Sequence, residues 1–319
     1  MLEELKQYLS KNSILYEEDV LLSQKSWIKT GGVCSCWIKP DSIAQLTNVC
    51  RYLYMHQLDF DIVGNTSNIF FHSSYNPGII VSTIKVNHYE IDKNCVICDC
   101  GVNVTKLAKD LLAKGFANVY GLIGLPGTVG ASAVNNASCF NCSISSFLIS
   151  ASCLMENGTI KELSRDAFNY SHRTSSFKRG ETKGVILQLK LNLSYALEVN
   201  QEIEKSKEVI KYRKEKQEGP RLNLGSVFSN LQIKNNKRIR IARKVSSALN
   251  KVIFIHKKNY FKKCILFFYG YIDLDAYISD KSLNTFIWKD KYAEAKFVRY
   301  KEFMRKVFFP LSIEIEEKY

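Results

Sequence analysis

The chain has 319 residues, with 46% hydrophobic and 24% charged residues, which is the balance of a globular protein with roughly two or three domains. Apolar runs are too short to span a bilayer, and the N-terminal segment lacks the apolar core of a secretory signal, so we expect a cytoplasmic protein that does not bind membranes. The net charge of +14 fits nucleic acid or a phosphorylated, carboxylated metabolite. We interpret most lysines as solvated surface and do not expect a nucleic-acid partner.

The first part of the chain predicts alternating strands and helices. Apolar residues at helical spacing indicate helices, and apolar runs between turn residues indicate strands. The predicted helices span 2–9, 42–56 and 105–114, and the predicted strands span 27–40 (two strands around a Gly-Gly pair), 59–63, 69–71, 78–86 and 95–104. A strand–helix–strand unit ends in the polar turn Gly64–Asn68, and such a turn is the usual place for a phosphate contact.

The stretch 121–137, GLIGLPGTVGASAVNNA, is the most unusual part of the sequence. It holds four of the chain's 16 glycines at intervals of three, and Pro126 stiffens the turn before Gly127. Small residues let a ligand approach the main chain and leave backbone N–H groups accessible. The stretch therefore predicts a loop that suits a diphosphate or a flavin edge, with a tight Pro-Gly turn without a ligand as the alternative.

The second half of the chain begins with a clear hairpin. The runs 147–155 and 160–163 flank Glu156-Asn157-Gly158, which is a strong turn sequence. The helix predicted over 198–216 is dense in charge and is interpreted as a solvated connector. The remaining predicted elements are strands at 184–193, 264–271 and 311–315 and a helix at 291–307.

The 10 cysteines do not form the pattern of a secreted, disulfide-linked domain. Cys95–Cys98 and Cys139–Cys142 have CxxC spacing, which occurs in zinc and redox sites. Each pair lacks a second pair at a suitable distance. We interpret the cysteines as reduced, small, buried residues and expect no metal, with a metal site as the minor alternative.

Six stretches together resemble one family. IKTGGVCSCWIKP, VGNTSN, GLPGTVGASAVNNA, YSHRTS, LGSVFSN and LSIEIE occur in the order and approximate spacing of the UDP-N-acetylenolpyruvoylglucosamine reductases, the MurB-type enzymes of peptidoglycan synthesis. The resemblance is good over 26–194, patchy to Asn230, weak through the basic, aromatic stretch 231–284, and visible again near the C-terminus. The compact linker before LGSVFSN is similar to that of the shorter subtype.

The resemblance implies an α+β fold with two domains. Residues 1–197 would form a two-lobed FAD-binding module of the vanillyl-alcohol oxidase (PCMH) type, divided near residue 80, and residues 198–319 a smaller substrate-binding domain. It also implies a monomer that binds FAD without a covalent bond. NADPH would reduce the FAD, which would then reduce UDP-N-acetylglucosamine enolpyruvate, a UDP-linked enolpyruvyl sugar, to UDP-N-acetylmuramate.

The resemblance also implies roles for individual residues. Arg173 matches the arginine that grips the substrate carboxylate, Ser226 the serine that donates a proton, and Glu314 the glutamate that donates a hydrogen bond to the developing charge. Lys216 and Asn230 match substrate-contact positions. The residues that would hold FAD are Gly64, Asn65, Thr66, Ser67, Asn68, Gly124, Pro126, Gly127, Thr128, Gly130, Ala131 and Asn136.

The sequence departs from the family pattern in ways that leave the substrate open. The changed positions are His172, Phe140, Thr66, Ser229 and Leu231. The stretch 231–284 lacks the expected glycine-rich helix start and the histidine-containing strand. Two alternatives are a related flavin reductase for another nucleotide-sugar and a catalytically inactive flavin-binding paralogue. A small register shift would also let Glu316 or Glu317 take the place of Glu314.

Overall fold

The computed structural model describes residues 1–219, 222–252 and 260–319. The helices of this part are α1 (Leu2–Lys11), α2 (Leu22–Lys25), α3 (Ile43–Met55), α4 (Val104–Ala113), α5 (Val129–Asn135), α6 (Ile144–Phe147), α7 (Val199–Lys216), α8 (Lys237–Val252), α9 (Tyr260–Tyr269) and α10 (Ala293–Val307). The strands are β1 (Leu15–Leu21), β2 (Val33–Lys39), β3 (Asp61–Val63), β4 (Ile69–Phe71), β5 (Ile79–Ser82), β6 (Tyr89–Asp92), β7 (Cys95–Asp99), β8 (Ser138–Cys139), β9 (Cys142–Ser143), β10 (Leu148–Met155), β11 (Ile160–Ser164), β12 (Gly184–Asn192), β13 (Phe228–Ser229), β14 (Gln232–Ile233), β15 (Phe308–Phe309), β16 (Ser312–Ile313) and β17 (Glu316–Lys318).

The chain divides into two compact units. The first unit consists of Met1–Gln24, Gly31–Ser67 and Ser74–Lys211, and the second of Lys25–Thr30, Asn68–Ser73 and Tyr212–Tyr319. The division lies inside α7, which we had assigned wholly to the second domain, and two short early segments belong to the second unit.

The first unit contains a four-stranded sheet in the order β1-β2-β5-β3. β1 is antiparallel to β2, whereas β2 and β3 flank β5 as parallel neighbours. α3 connects β2 to β3 and begins at Ser42, whose side chain accepts a hydrogen bond from the Gln45 N–H at 3.3 Å. Its apolar stripe of Leu46, Val49 and Leu53 is buried in the unit's core. The sheet thereby fixes the end of β3, where the turn at 64–67 begins.

The same unit contains an antiparallel five-stranded sheet in the order β11-β10-β12-β7-β6. Gly158 has φ +80° in the turn between β10 and β11. Glycine adopts this conformation readily, which is why the glycine in this turn was a reliable signal for the hairpin. α5 packs against β12 and β7, so the glycine-containing stretch 121–137 is carried on this sheet.

The second unit has helices α8, α9 and α10 and three short strand pairs, β13 with β16, β14 with β15, and β17 with β4. Its core is unusually aromatic. Phe286, Phe297, Tyr300 and Phe303 are fully buried, and the ring centroids of Phe286 and Phe297 are 5.1 Å apart in an edge-on arrangement. Among the described residues, the helices lack the combination of length and hydrophobicity that a membrane crossing needs.

The predicted α+β class is confirmed, and so are most of the helices and the central hairpin. Two element predictions are wrong. We predicted two strands within 27–40, but the first half is not a strand, and Lys25–Thr30 belongs to the second unit. The second half is β2, which pairs with β1, a strand that we had not predicted. The run 264–271 is largely the helix α9, since Phe261, Cys264, Ile265 and Phe268 recur at helical spacing and pack into the second core.

Candidate functional site

The two segments predicted to hold FAD lie against each other in the first unit. A Cβ atom added at Gly64 would be only 2.5 Å from Thr128 Oγ1, and one added at Gly127 would be 3.4 Å from Ser67 Oγ. Gly127 has φ +118°, which a residue with a side chain rarely adopts. The sequence thus predicted both segments, and the structure brings their main chains together.

The stretch after Pro126 is not the open loop that we predicted. Thr128 starts α5, and its Oγ1 accepts a hydrogen bond from the Ala131 N–H at 3.4 Å. A Cβ at Gly130 would be 2.8 Å from the Cβ of Cys100, so only glycine allows the helix to approach this residue. Small side chains here serve close packing as well as access to the main chain.

Two buried polar atoms beside these segments lack a partner among the described residues. They are Ser82 Oγ, at the end of β5, and Asn135 Oδ1, in the last turn of α5. Ser82 pairs in register with Val63, the residue before Gly64. Buried polar atoms in native proteins nearly always have a hydrogen-bond partner. The two segments 64–67 and 124–136, which we call the cradle, therefore have polar atoms beside them that could bond to the polar edge of a cofactor such as FAD. Sequence reasoning missed both residues because serine and asparagine have no distinctive pattern there.

Cysteines near this cradle are not reactive groups. Burial raises the pKa of the Cys100 thiol to about 12, and burial likewise raises the pKa of Cys153 to about 12. All ten cysteines are unpaired, and all but Cys95 and Cys139 are buried. Near Gly130, Cys100 acts as a small apolar residue.

Arg173 lies in a tight turn next to the end of α5. Ser171 and Thr174 exchange two backbone hydrogen bonds of 3.2 Å, and Arg173 between them has φ +58°. Its Nη1 donates to the carbonyl oxygen of Ser138 at 2.7 Å and to the hydroxyl oxygen at 3.1 Å. Asn136 Nδ2 donates to the Ser171 carbonyl at 2.7 Å, so the structure joins Asn136, a predicted FAD contact, to the turn that carries Arg173.

The segments that carry Ser226 and Glu314 come together in the second unit. Ser226 is exposed, and the Val227 carbonyl after it accepts a hydrogen bond from the Glu314 N–H at 2.8 Å. β13 and β16 extend this contact by pairing Phe228 with Ile313. Asn284 fixes the Ser226 segment, since its Oδ1 accepts from the Phe228 N–H at 3.0 Å and its Nδ2 donates to the Phe228 carbonyl at 2.7 Å.

The structure also shows where Glu314, Glu316 and Glu317 lie, the three residues that could match the glutamate of the family. Glu316 forms an ion pair with Lys318 at 3.1 Å, and the largely buried side chain of Glu317 contacts Lys301 at 2.9 Å. Only Glu314 of the three lies beside the Ser226 segment through its main chain. Asn68 also belongs here, because its Nδ2 donates to the Glu314 carbonyl at 3.3 Å. The turn 64–68 is therefore divided, with Asn68 in the second unit and the rest in the first.

The other predicted residues have simpler surroundings. Gly124 has φ +81°, and its N–H donates to Thr105 Oγ1 at 3.0 Å, which fixes the start of the glycine-containing segment. Asn230 is exposed at the turn between β13 and β14, with φ +55°. Lys216 is exposed at the end of α7, and its side chain makes no hydrogen bond within the described residues. The structure does not bring Lys216 into contact with Ser226 or Glu314.

The chain is similar to known proteins in sequence and in fold. The profile of a family described as "FAD binding domain" matches residues 34–164. A UDP-N-acetylenolpyruvoylglucosamine reductase from Caldicellulosiruptor bescii is 30% identical over 226 residues, which cover 70% of this chain and 71% of the relative. One from Carboxydothermus hydrogenoformans is 31% identical over 229 residues, covering 71% and 74%. The crystal structure of UDP-N-acetylenolpyruvylglucosamine reductase from Thermus caldophilus has a TM-score of 0.66 at 16% identity, covering 96% of this chain and 99% of that one.

The fold and the matched region define a PCMH-type FAD-binding module, and the curated relatives make the chain an FAD-dependent oxidoreductase. The identity with relatives, extending over more than two thirds of each chain, gives the narrower assignment. The chain belongs to the UDP-N-acetylenolpyruvoylglucosamine reductase family, as the six sequence stretches had indicated.

Proposed function

We propose that this chain reduces UDP-N-acetylglucosamine enolpyruvate to UDP-N-acetylmuramate in peptidoglycan precursor synthesis, with NADPH as the reductant. FAD, once reduced and bound, supplies the hydride that adds to the enolpyruvyl double bond. The observation that supports the proposal is the hydrogen bond from the Glu314 N–H to the Val227 carbonyl, because it joins the segment that carries Glu314 to the segment that carries Ser226. The first unit would hold FAD, the second would bind the UDP-sugar, and the enzyme would act as a monomer.

The protein groups would act on the charge and the proton. Hydride addition leaves negative charge on the carbon next to the substrate carboxylate, and Arg173, oriented by Ser138, would grip that carboxylate. Glu314 in its protonated form would donate a hydrogen bond to the same developing charge. Ser226, exposed after Gly225, would donate the proton to the carbon.

The remaining predicted residues would bind rather than react. FAD would lie along the cradle of 64–67 and 124–136, where Gly64 and Gly127 keep the two segments close. Asn68, which already contacts the Glu314 carbonyl, would extend this set. Lys216 and Asn230 would contact the substrate, and both side chains are exposed as such a role requires.

Substitution of Ser226 tests the proposal in two separate half-reactions. Ser226→Ala should leave FAD content and flavin reduction by NADPH unchanged, because only one exposed hydroxyl is lost. Reoxidation of the reduced flavin by the enolpyruvyl substrate should slow by about 10²–10⁴-fold, the usual contribution of a general acid. Ser226→Cys should recover part of the rate, and Ser229→Ala, on the adjacent strand, is the matched control. A Ser226→Ala protein that reoxidises at the wild-type rate would refute the role of Ser226.

A second candidate is the reduction of another nucleotide-linked sugar. It is supported by the helices α8 and α9, which occupy the stretch where the family pattern has a glycine-rich helix start and a histidine-containing strand. Stopped-flow reoxidation with the peptidoglycan precursor and with other enolpyruvyl or keto sugars distinguishes the two. Fast reoxidation by the precursor alone would dismiss this candidate, and no reoxidation by any of them would favour an inactive flavin-binding paralogue.

A further inference from the structure

The strand that follows Glu314 is held by an unusually small backbone contact. β17 pairs with β4 as a parallel two-stranded ribbon of three residues per strand. The Glu316 N–H donates to the Asn68 carbonyl at 2.9 Å, and the His72 N–H donates to the Lys318 carbonyl at 2.9 Å. An isolated pair of this size has little stability of its own. Side chains must therefore supply most of what keeps β17 in place.

A group of charged and polar side chains around the Glu317 carboxylate supplies it. The Glu317 side chain is 7% exposed, and its carboxylate accepts hydrogen bonds from Lys301 Nζ at 2.9 Å and from Tyr319 Oη at 2.8 Å. His72 Nε2 lies 3.1 Å from the same carboxylate, and His72 Nδ1 lies 2.9 Å from Glu294 Oε1. We call these five residues the Glu317 cluster. Leaving a largely buried carboxylate without its partners is costly, so these contacts favour the position of β17 that keeps them.

The Glu317 cluster connects β17 to a rigid part of the second core. Lys301 and Glu294 both lie on α10, whose Phe297 and Tyr300 are fully buried. The His72 ring stacks on the Tyr319 ring at a centroid distance of 4.1 Å, with the rings 21° from parallel. Movement of β17 away from β4 would break the ion pair, the hydrogen bonds and this stacking together.

The residues at the start of this strand pair are those of the proposed site. Asn68 directly precedes β4, and Glu314 lies two residues before β17. Asn68 Nδ2 donates to the Glu314 carbonyl at 3.3 Å, and the Glu314 N–H donates to the Val227 carbonyl at 2.8 Å. The main chain of Glu314 is thus fixed by the β4–β17 pair on one side and by the segment of Ser226 on the other.

We propose that Glu317 is a positioning residue for Glu314, acting through the ion pair and hydrogen bonds that fix β17 on β4 and α10. The proposal rests on the proposed function only for the role of Glu314. Displacement of a catalytic group by about 1 Å can cost about 10²-fold in rate, so loss of the Glu317 charge should affect the step that uses Glu314. It should not affect steps that do not use Glu314.

Two neighbouring glutamates on the same strand give a matched test. Glu317→Gln removes the largely buried charge, and Glu316→Gln makes the same change at a residue whose ion pair in the described part of the chain is with Lys318. Glu317→Gln should slow flavin reoxidation by the enolpyruvyl substrate by about 10–100-fold, with FAD content and reduction by NADPH unchanged. Glu316→Gln should stay within about twofold of wild type in both half-reactions. Tyr319→Phe, which keeps the ring but loses one hydrogen bond, should fall between them and covers the case in which Glu317→Gln fails to fold.

Hydrogen exchange tests the positioning without any turnover. The amides of Glu314 and Glu316 should exchange faster in Glu317→Gln and in Tyr319→Phe than in wild type or Glu316→Gln, since both amides depend on the position of β17. If exchange rises and wild-type protein is not reoxidised by the substrate, the proposed function fails and the positioning stands. The proposal is overturned if exchange at these amides is unchanged in both cluster variants, or if Glu316→Gln has the same effects as Glu317→Gln.

Discussion

The contact between Gly64 and Thr128 gives a prediction whose size follows from the structure. In Gly64→Ala the new Cβ would be 2.5 Å from Thr128 Oγ1 and 3.1 Å from Thr128 Cγ2, so Thr128 must move. That movement adds an overpacking cost of about 1–3 kcal/mol and weakens the N-cap of α5, worth about 1 kcal/mol. If roughly 2 kcal/mol of this cost weakens cofactor binding, the affinity for FAD should fall by about 10–100-fold. Gly78→Ala is the control, because its Cβ would meet nothing within 4 Å.

Flavin fluorescence titration of the apoprotein measures this loss, and a double-mutant cycle assigns its cause. Thr128→Ala alone loses the cap, but in the Gly64→Ala background it also removes the clashing hydroxyl. The double variant should therefore bind FAD more tightly than Gly64→Ala, with a coupling energy of about 1–2 kcal/mol. Additive effects, or a Gly64→Ala protein that binds FAD like Gly78→Ala, would refute the close approach of the two segments.

Three further predictions concern charged residues. Arg173→Lys should keep FAD bound but raise KM and slow flavin reoxidation by about tenfold or more, because lysine cannot make the paired bonds of a guanidinium. Burial by itself raises the pKa of Glu317, but hydrogen bonds from Lys301, Tyr319 and His72 outweigh this effect and hold the pKa below the usual 4.5. The ionised Glu317 therefore stabilises the fold fully above the pKa of the unfolded state, and this stabilisation is lost as pH falls through the lower pKa of the folded state. The difference in unfolding midpoint between wild type and Glu317→Gln should shrink as pH falls below about 4.5. Lys262→Met should lower the free energy of unfolding by about 2–4 kcal/mol, because this lysine is 2% exposed and donates hydrogen bonds to two backbone carbonyls. Lys263 is exposed, so Lys263→Met is the control and should change the free energy of unfolding by less than about 0.5 kcal/mol. Urea titrations measure both values.

Patterns within one segment predicted the first unit well. The helix 43–55 and the hairpin around Gly158 followed from local signals, namely an N-cap serine with an apolar stripe and a turn that needs positive φ. The glycine-containing stretch was predicted to bind a ligand because small residues let main chains approach closely, and the structure shows such a close approach at Gly64 and Gly127, while ligand binding by these residues stays a prediction. The helix α5 within it was missed, because short runs of glycine, alanine and serine carry no periodicity.

The second unit was harder to predict because its contacts join distant parts of the chain. His72 is a single histidine after an apolar run, and only folding places it against Glu294 and Glu317. The predicted residue Glu314 had two competitors nearby, and the pairing of β13 with β16 brings its main chain beside the segment of Ser226, while its catalytic role stays a prediction. The helix α9 was predicted as a strand because a run of aromatic residues also fits a buried strand. In the structure it is a helix, in which Cys264 and Ile265 are both buried.

The composition of the second unit from three separate segments limits how it can be produced. Ile28 and Phe70 come from the first quarter of the chain, yet they are 1% and 0% exposed in the core that otherwise begins after Lys211. Both side chains are synthesised long before their packing partners on α10, so this core cannot be completed until synthesis of the chain has nearly ended. A gene fragment encoding only 212–319 would lack both side chains and the strand that pairs with β17. Expression of the second unit by itself therefore requires Lys25–Thr30 and Asn68–Ser73 to be grafted onto it.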